Sequence, residues 1–373
     1  MADPSRTTTL HNRLIRLGFT DARRAETLLD DPALTAVMGP ITANHPLVDA
    51  LALAADHDHA VLGLVRLCET ILGLPEPEKT RLTSTLAHLV EPDGPPVPPA
   101  TRESVVNHRL RHLIALFGHS TALTDEVIRR PELVDDVLDD TPATLLTDED
   151  IRDALLVAVH ADPTSLIPLA GATTSTPCDP DDYVDAMRRE YRRLLIKVAA
   201  TDLAHDQPAD ILPDIAAALA ALAAGALEAA LAIARLRHPT HGKEVRLSVL
   251  GMGKCGGHEL NYISDVDVIY VVEPNEGYSE DEACAVGAIL AQDLAHACSG
   301  VFGEQALWPV DAALRPEGKQ GPLVRTLSSH TSYYERWAKT WEFQALLKAR
   351  HVAGDQALSS APSANHPIIT GRR

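Results

Sequence analysis

Up to about Val90 the apolar positions recur with helical spacing. In "TDARRAETLLDD" (20–31) and "HAVLGLVRLCETILGL" (59–74) they fall at i, i+3 and i+4, which gathers them on one face of a 3.6-residue helix. "EPDGPPVPPAT" (91–101) breaks the pattern with prolines that lack the helical donor, and it reads as a linker. The period resumes in "TRESVVNHRLRHLIALFGHS" (101–120), with Thr101 as the expected N-cap and Gly118 near the end. Further helices run to about Leu169. A loop at 171–182 then precedes "YVDAMRREYRRLLIKVAATDLAHD", a helix for which Asp181 or Asp182 is the expected cap. An alanine-rich helix over 215–234 stops near His238 and Pro239.

There the period changes. "KEVRLSVLGMG" alternates Val245, Leu247 and Val249 on one side, and "DVDVIYVVE" (265–273) is rich in β-branched residues, so both read as strands. A helix is expected over 280–300, and "WPVDAALRPEG" (308–318) reads as a further strand that leaves at Pro316. The last clear element, "SYYERWAKTWEFQALLKAR" (332–350), reads as one helix. Its Tyr334, Trp337 and Trp341, at i, i+3 and i+7, are expected to form a packed core stripe.

The alternation from helix to strand makes the fold class α+β. With 373 residues and 45% hydrophobic content, the chain can bury the cores of two or three domains. The formal charge of −19 argues against a general binder of nucleic acid or of an anionic membrane, so neither is an expected partner. Phosphate chemistry on such a surface needs locally concentrated cations. The five cysteines are scattered without a CxxC pair, which fits reduced thiols and a cytoplasmic location. The 215–234 helix is apolar, yet it is mostly alanine and carries Glu228, so it is expected to be a buried core helix and not a membrane span.

The candidate chemistry lies in "RLSVLGMGKCGGHELNYISDVDVIYVVEP" (246–274). Gly251, Gly253 and Gly256 follow a strand in GxGxxG spacing, and Glu273 closes the next strand, as in a dinucleotide-binding unit. That unit needs a crossover of at least about ten residues between parallel strands. Only the eight residues Gly257 to Ser264 separate the last glycine from Asp265. Asp265 and Asp267 would also be unpaired carboxylates inside a buried parallel strand, at a cost of several kcal/mol each. Alternation along a strand instead puts the two side by side, where they repel unless hard cations such as Mg²⁺ sit between them. Two metals held this way suit in-line phosphoryl or nucleotidyl transfer. Asp311 is the best-placed third carboxylate, with Arg315 following it. Backbone N–H groups of the glycine turn, and Lys254 beside them, suit a triphosphate.

"GMGKCGGHELNYISDVDVIYVVE" and "VDAALRPEGKQGPLVRTLSSHTSYYERWAKTWEFQALLKARHVAGD" closely resemble the bifunctional glutamine synthetase adenylyltransferase/adenylyl-removing enzymes. Those enzymes belong to the DNA-polymerase-β-like nucleotidyltransferase superfamily. Looser matches upstream extend the resemblance over roughly residues 10–355. It implies a polymerase-β-like mixed-sheet core behind a large all-α region, with Asp265 and Asp267 as the metal pair and Asp311 as third ligand. It further implies a phosphate- and substrate-binding group of Gly251, Gly253, Lys254, Gly256, Gly257, Ser264 and Arg315. Lys348 and Arg350 join that group on resemblance alone, since a helix C-terminus favours cations anyway. Position 313 is alanine, where many members carry a second arginine, which leaves Arg315 as the one candidate phosphate clamp there.

The implied organisation is an N-terminal helical region at 1–90, a second at 101–170 and a catalytic domain at 183–327. A further helical domain would start over 328–355, and 356–373 resembles nothing in the family. The expected activity is Mg²⁺-dependent, with ATP or ADP and phosphate as substrates or products. Glutamine synthetase is the expected partner, with a PII-type nitrogen-signalling protein as a second. The single site, of N-terminal type, points to phosphorolytic removal of AMP; adenylylation from ATP and a catalytically dead docking fragment are the alternatives. "DHDH" (56–59) has no fourth ligand nearby and reads as a solvated cluster instead of a metal site.

Overall fold

The computed structural model describes residues 9–90, 108–139, 146–240 and 245–360. The expected linker at 91–101 with Thr101, and residues 361–373 of the tail, lie outside them. The chain divides into two compact units, Met1–Ala143 with Ile196–Ile211, and Thr144–Leu195 with Leu212–Arg373.

In the first unit the helices are α1 (Leu10–Leu17), α2 (Ala22–Leu29), α3 (Pro32–Met38), α4 (Pro46–Leu51), α5 (His57–Leu72), α6 (Glu78–His88), α7 (His108–His119), α8 (Thr121–Arg129) and α9 (Val134–Val137). Short polar side chains start them: Asp21, Asp31, Asp56 and Ser120 each accept a first-turn backbone N–H. Leu14, Leu47, Leu64, Leu67, Leu110 and Phe117 are fully buried in one core, each stabilising it by roughly 2 kcal/mol. The "DHDH" cluster is more structural than its sequence suggests. Asp56 caps α5 through His59 N, Asp58 accepts from Thr20 N at 2.8 Å, and the His59 ring meets the Phe117 carbonyl at 2.6 Å.

The second unit contains α10 (Asp148–Ala158), the part of α11 (Pro180–Ala204) up to Leu195 and the part of α12 (Pro208–Arg237) from Leu212 on. The start of α11 differs from expectation: Pro180 takes the first position, where a missing N–H is harmless, and Asp179 accepts from Asp181 N at 2.9 Å. Among the described residues α12 is the one helix long and apolar enough to cross a membrane, and 83% of that stretch is buried within the fold. Its Glu228 accepts from Gly354 N at 2.6 Å through Oε2, while Oε1 has no hydrogen bond and faces the Arg235 guanidinium at 3.7 Å.

The remaining elements are β1 (Val245–Gly251), α13 (Gly253–Gly256), β2 (Val266–Pro274), α14 (Glu280–Ser299), β3 (Val310–Asp311), β4 (Val324–Thr326), α15 (Leu327–Arg336), α16 (Thr340–Leu346), β5 (Arg350–Gly354) and α17 (Gln356–Ser360). They form a mixed sheet in the order β3-β2-β1-β5, with β4 also on β2. β1 is antiparallel to β2 and to β5, whereas β2 is parallel to β3 and β4. β1 and β2 are adjacent and antiparallel, so the glycine turn between them is no dinucleotide crossover. Leu250, Met252, Ile269 and Val271 pack with Leu358, Leu314, Leu327 and Leu346 in one core.

Three further expectations change. The strand expected over 308–318 shrinks to the two residues of β3, because the chain turns back at Arg315, whose side chain holds the turn. The single helix expected over 332–350 is broken into α15 and α16, and its last residue, Arg350, opens β5, so the sheet draws on residues beyond the boundary expected at 327. The aromatic stripe is not a core stripe: Tyr334 is buried, but Trp337 is 73% exposed and Trp341 51%. The break rotates the period, and α16 turns Glu342, Ala345 and Leu346 inward instead.

Candidate active site

β2 brings its first residues to the end of the sheet, where Asp265 sits just before the strand and Asp267 one residue inside it. Along a strand alternate residues share a face, so Asp267 occupies the face that Ile269 and Val271 fill further along. β3 lies parallel, with Val266 opposite Val310 and Asp267 opposite Asp311. The three carboxylates each offer an oxygen within 4.8 Å of the other two. Burial raises the pKa of Asp267 above the usual carboxylate value, the charges of Asp265 and Asp311 push it the same way, and Lys254 opposes them. Mutual repulsion of this kind, in an all-oxygen donor set, fits a hard divalent cation such as Mg²⁺.

The glycine turn is built against this cluster. Met252 N donates to the Asp267 carbonyl at 2.8 Å, which fixes the turn to the strand. Gly253 has φ +52°, and a Cβ there would stand 2.9 Å from Asp267 Oδ2. At Gly256 a Cβ would meet the carbonyl oxygens of Lys348 at 2.0 Å and Gly251 at 2.3 Å, so only glycine fits. Lys254 is exposed beside the cluster and reaches Asn261 Oδ1 at 3.4 Å. Ser264 is half-buried next to Asp265.

Residues 110–364 match the model of the family described as glutamate-ammonia ligase adenylyltransferase. The chain belongs to that family. It is 42% identical over 96% of its length to the bifunctional glutamine synthetase adenylyltransferase/adenylyl-removing enzyme of Streptomyces avermitilis, and 41% identical over 96% to that of Streptomyces coelicolor. The same enzyme of Cutibacterium acnes is 48% identical over 65% of the chain. These stretches cover 31%, 31% and 24% of the relatives, so the chain spans about a third of their length or less.

In this family member, three of the expected phosphate-binding cations make structural contacts. Arg315 donates to the Gly321 carbonyl through Nε (3.2 Å) and Nη2 (3.1 Å) and to the Ala312 carbonyl through Nη1 (2.8 Å), closing the loop after Asp311. Arg350 donates to the carbonyls of Cys255 (3.1 Å) and Gly256 (3.4 Å) and faces Asp148 at 3.5 Å, so it braces the glycine turn from behind. Lys348 pairs with Glu259 at 2.5 Å. One cation escaped the sequence reading: Lys319 Nζ stands 4.0 Å from Asp311 Oδ2. It is eight positions from Asp311 on a turn, where no periodicity marks it. Asp311 itself is held by Ala313 N, which donates to its Oδ1 at 2.7 Å.

Proposed function

We propose that this chain is a Mg²⁺-dependent nucleotidyltransferase that removes AMP from an adenylylated tyrosine of glutamine synthetase by phosphorolysis. The observation that carries the reading is the triad of Asp265, Asp267 and Asp311 beside a glycine turn, on a mixed sheet. The three carboxylates would hold Mg²⁺, which when bound neutralises charge on the transferring phosphoryl group. Backbone N–H groups at the start of the turn, 253–255, bind and orient the nucleotide phosphates, and Lys254 and Lys319 offset their charge. An oxygen of inorganic phosphate attacks the AMP phosphorus, the bond from phosphorus to the tyrosine oxygen breaks, and ADP and free tyrosine result. Phosphate is already anionic at neutral pH, so alignment matters more than a strong base. The resemblance of residues 10–355 to the N-terminal half of the family's long enzymes supports this direction over adenylylation.

Incubating the protein with Mg²⁺, phosphate and AMP-modified glutamine synthetase is expected to release ADP. Absence of ADP, together with labelling of unmodified glutamine synthetase from ATP, would establish the reverse direction.

A further inference from the structure

We infer that one polar face of α11 positions the third carboxylate, Asp311, through the segment that joins α14 to β3. This inference rests on the metal-binding role proposed for Asp311. Asp185, Arg188, Tyr191 and Arg192 recur at i, i+3, i+6 and i+7, a single helical face. That face is matched to the segment almost position by position. Arg188, with no exposed surface, donates to the carbonyls of Ala297 (2.8 and 3.1 Å), Gly300 (3.0 Å) and Glu304 (2.7 Å). Asp185 accepts from Glu304 N at 2.7 Å. Arg192 donates to the carbonyls of Gln305 and Ala306 and faces the Glu304 carboxylate at 3.6 Å. The hydroxyl of Tyr191 accepts from Trp308 Nε1 at 3.1 Å.

The next residue completes the chain of contacts, because the Pro309 carbonyl accepts from Val266 N at 3.0 Å. Two positions later Asp311 stands opposite Asp267. β3 is only two residues long, so its own ladder cannot fix its register. A slip of one residue would move Asp311 by about 3.3 Å and turn it to the other face. Most of the anchoring donors are buried guanidinium N–H groups on backbone carbonyls. Their planar fork makes that grip directional in a way a lysine cannot reproduce. The four residues on α11 are therefore positioning residues that touch neither metal nor substrate.

The test uses Mn²⁺ as the probe, with binding to the whole chain read by water-proton relaxation, and does not depend on any reaction. Arg188→Lys is expected to bind Mn²⁺ about tenfold more weakly, as changes that disturb ligand orientation do. In an Asp311→Asn background the same change is expected to cost less than about twofold, because the residue it acts through is gone. Arg188→Lys binding as tightly as the unaltered protein overturns the inference, as does an equal loss in both backgrounds. Asp311→Asn binding Mn²⁺ undiminished also overturns it. If Arg188→Lys does not fold, Tyr191→Phe carries the same cycle, with an expected drop of about threefold. ADP release plays no part in this readout, so an error in the direction of the proposed reaction leaves it standing.

Discussion

Asp267 and Asp311 stand opposite each other across the parallel pairing of β2 and β3. Two like charges are thus held together by backbone register, with Asp265 completing the group. Without a cation that arrangement is repulsive, and the partial burial of Asp267 adds to the cost. Asp267→Asn is therefore expected to act oppositely on stability and on function. In chelator its melting temperature should rise by about 2 °C, while the proposed AMP removal should fall by about a thousandfold, since several kcal/mol of charge stabilisation are lost. Thermal scans with and without Mg²⁺, beside an ADP-release assay, check both; unchanged turnover would remove the carboxylate from the site.

The glycine turn separates three glycines that look alike in sequence. Gly256→Ala forces a methyl into two backbone oxygens that cannot retreat, so it should cost several kcal/mol and give little folded protein. Gly253→Ala meets a positive φ and Asp267 Oδ2 at 2.9 Å. It should fold, with about 1–2 kcal/mol lost, but activity should drop more than stability because the Asp267 carboxylate is displaced. Gly257→Ala meets the movable Lys348 Cδ at 3.0 Å, the Gly253 carbonyl oxygen at 3.2 Å and Glu259 Cδ at 3.5 Å, a milder crowding at negative φ, and should lose the least of the three. Denaturant unfolding of the three variants ranks them, and equal losses would contradict this account.

The paired carboxylates were legible because two aspartates in a β-branched run conflict with burial, and such a conflict marks a site. The antiparallel β1–β2 pair was legible from the short span between glycine and aspartate. The carbonyl contacts of Arg315 and Arg350 were not, since nothing in a sequence distinguishes an arginine facing phosphate from one gripping backbone carbonyls. β5 was hidden for a different reason: "ARHVAG" follows a strongly helical stretch, and only its ladder with β1 makes it a strand. The exposed Trp337 and Trp341 follow from the helix break near Ala338, which no single residue announces.

That break carries a prediction of its own. A tryptophan in a packed core costs about 3–5 kcal/mol when truncated to alanine, but Trp337 and Trp341 are 73% and 51% exposed. Each alanine variant should lose less than about 1 kcal/mol, whereas Tyr334→Ala, at a 5% exposed position stacked on His330, should lose several. Urea titrations give the comparison directly. Trp337→Ala as damaging as Tyr334→Ala would restore the unbroken core stripe.

Two histidines make stability depend on mild acid. Burial pushes His330 down to about 4, opposed by its contact with the Tyr270 carbonyl at 3.3 Å and reinforced by Arg325. Burial likewise lowers His351 to about 4, opposed by Asp355 and reinforced by Arg350 and Arg152. Both are held neutral in the native state, while in the unfolded chain they take up protons below about pH 6.5. Between pH 6.5 and about 4 the unfolded state binds more protons, so stability is full above that window and falls as pH falls through it. The loss for His330 is on the order of 3 kcal/mol across the window. His330→Gln keeps a donor for the Tyr270 carbonyl but cannot titrate. It should be somewhat less stable than the unaltered protein at pH 7 and close that gap by pH 4.5. Urea unfolding at both pH values decides the matter, and a gap that stays constant would show that His330 is not the titrating group.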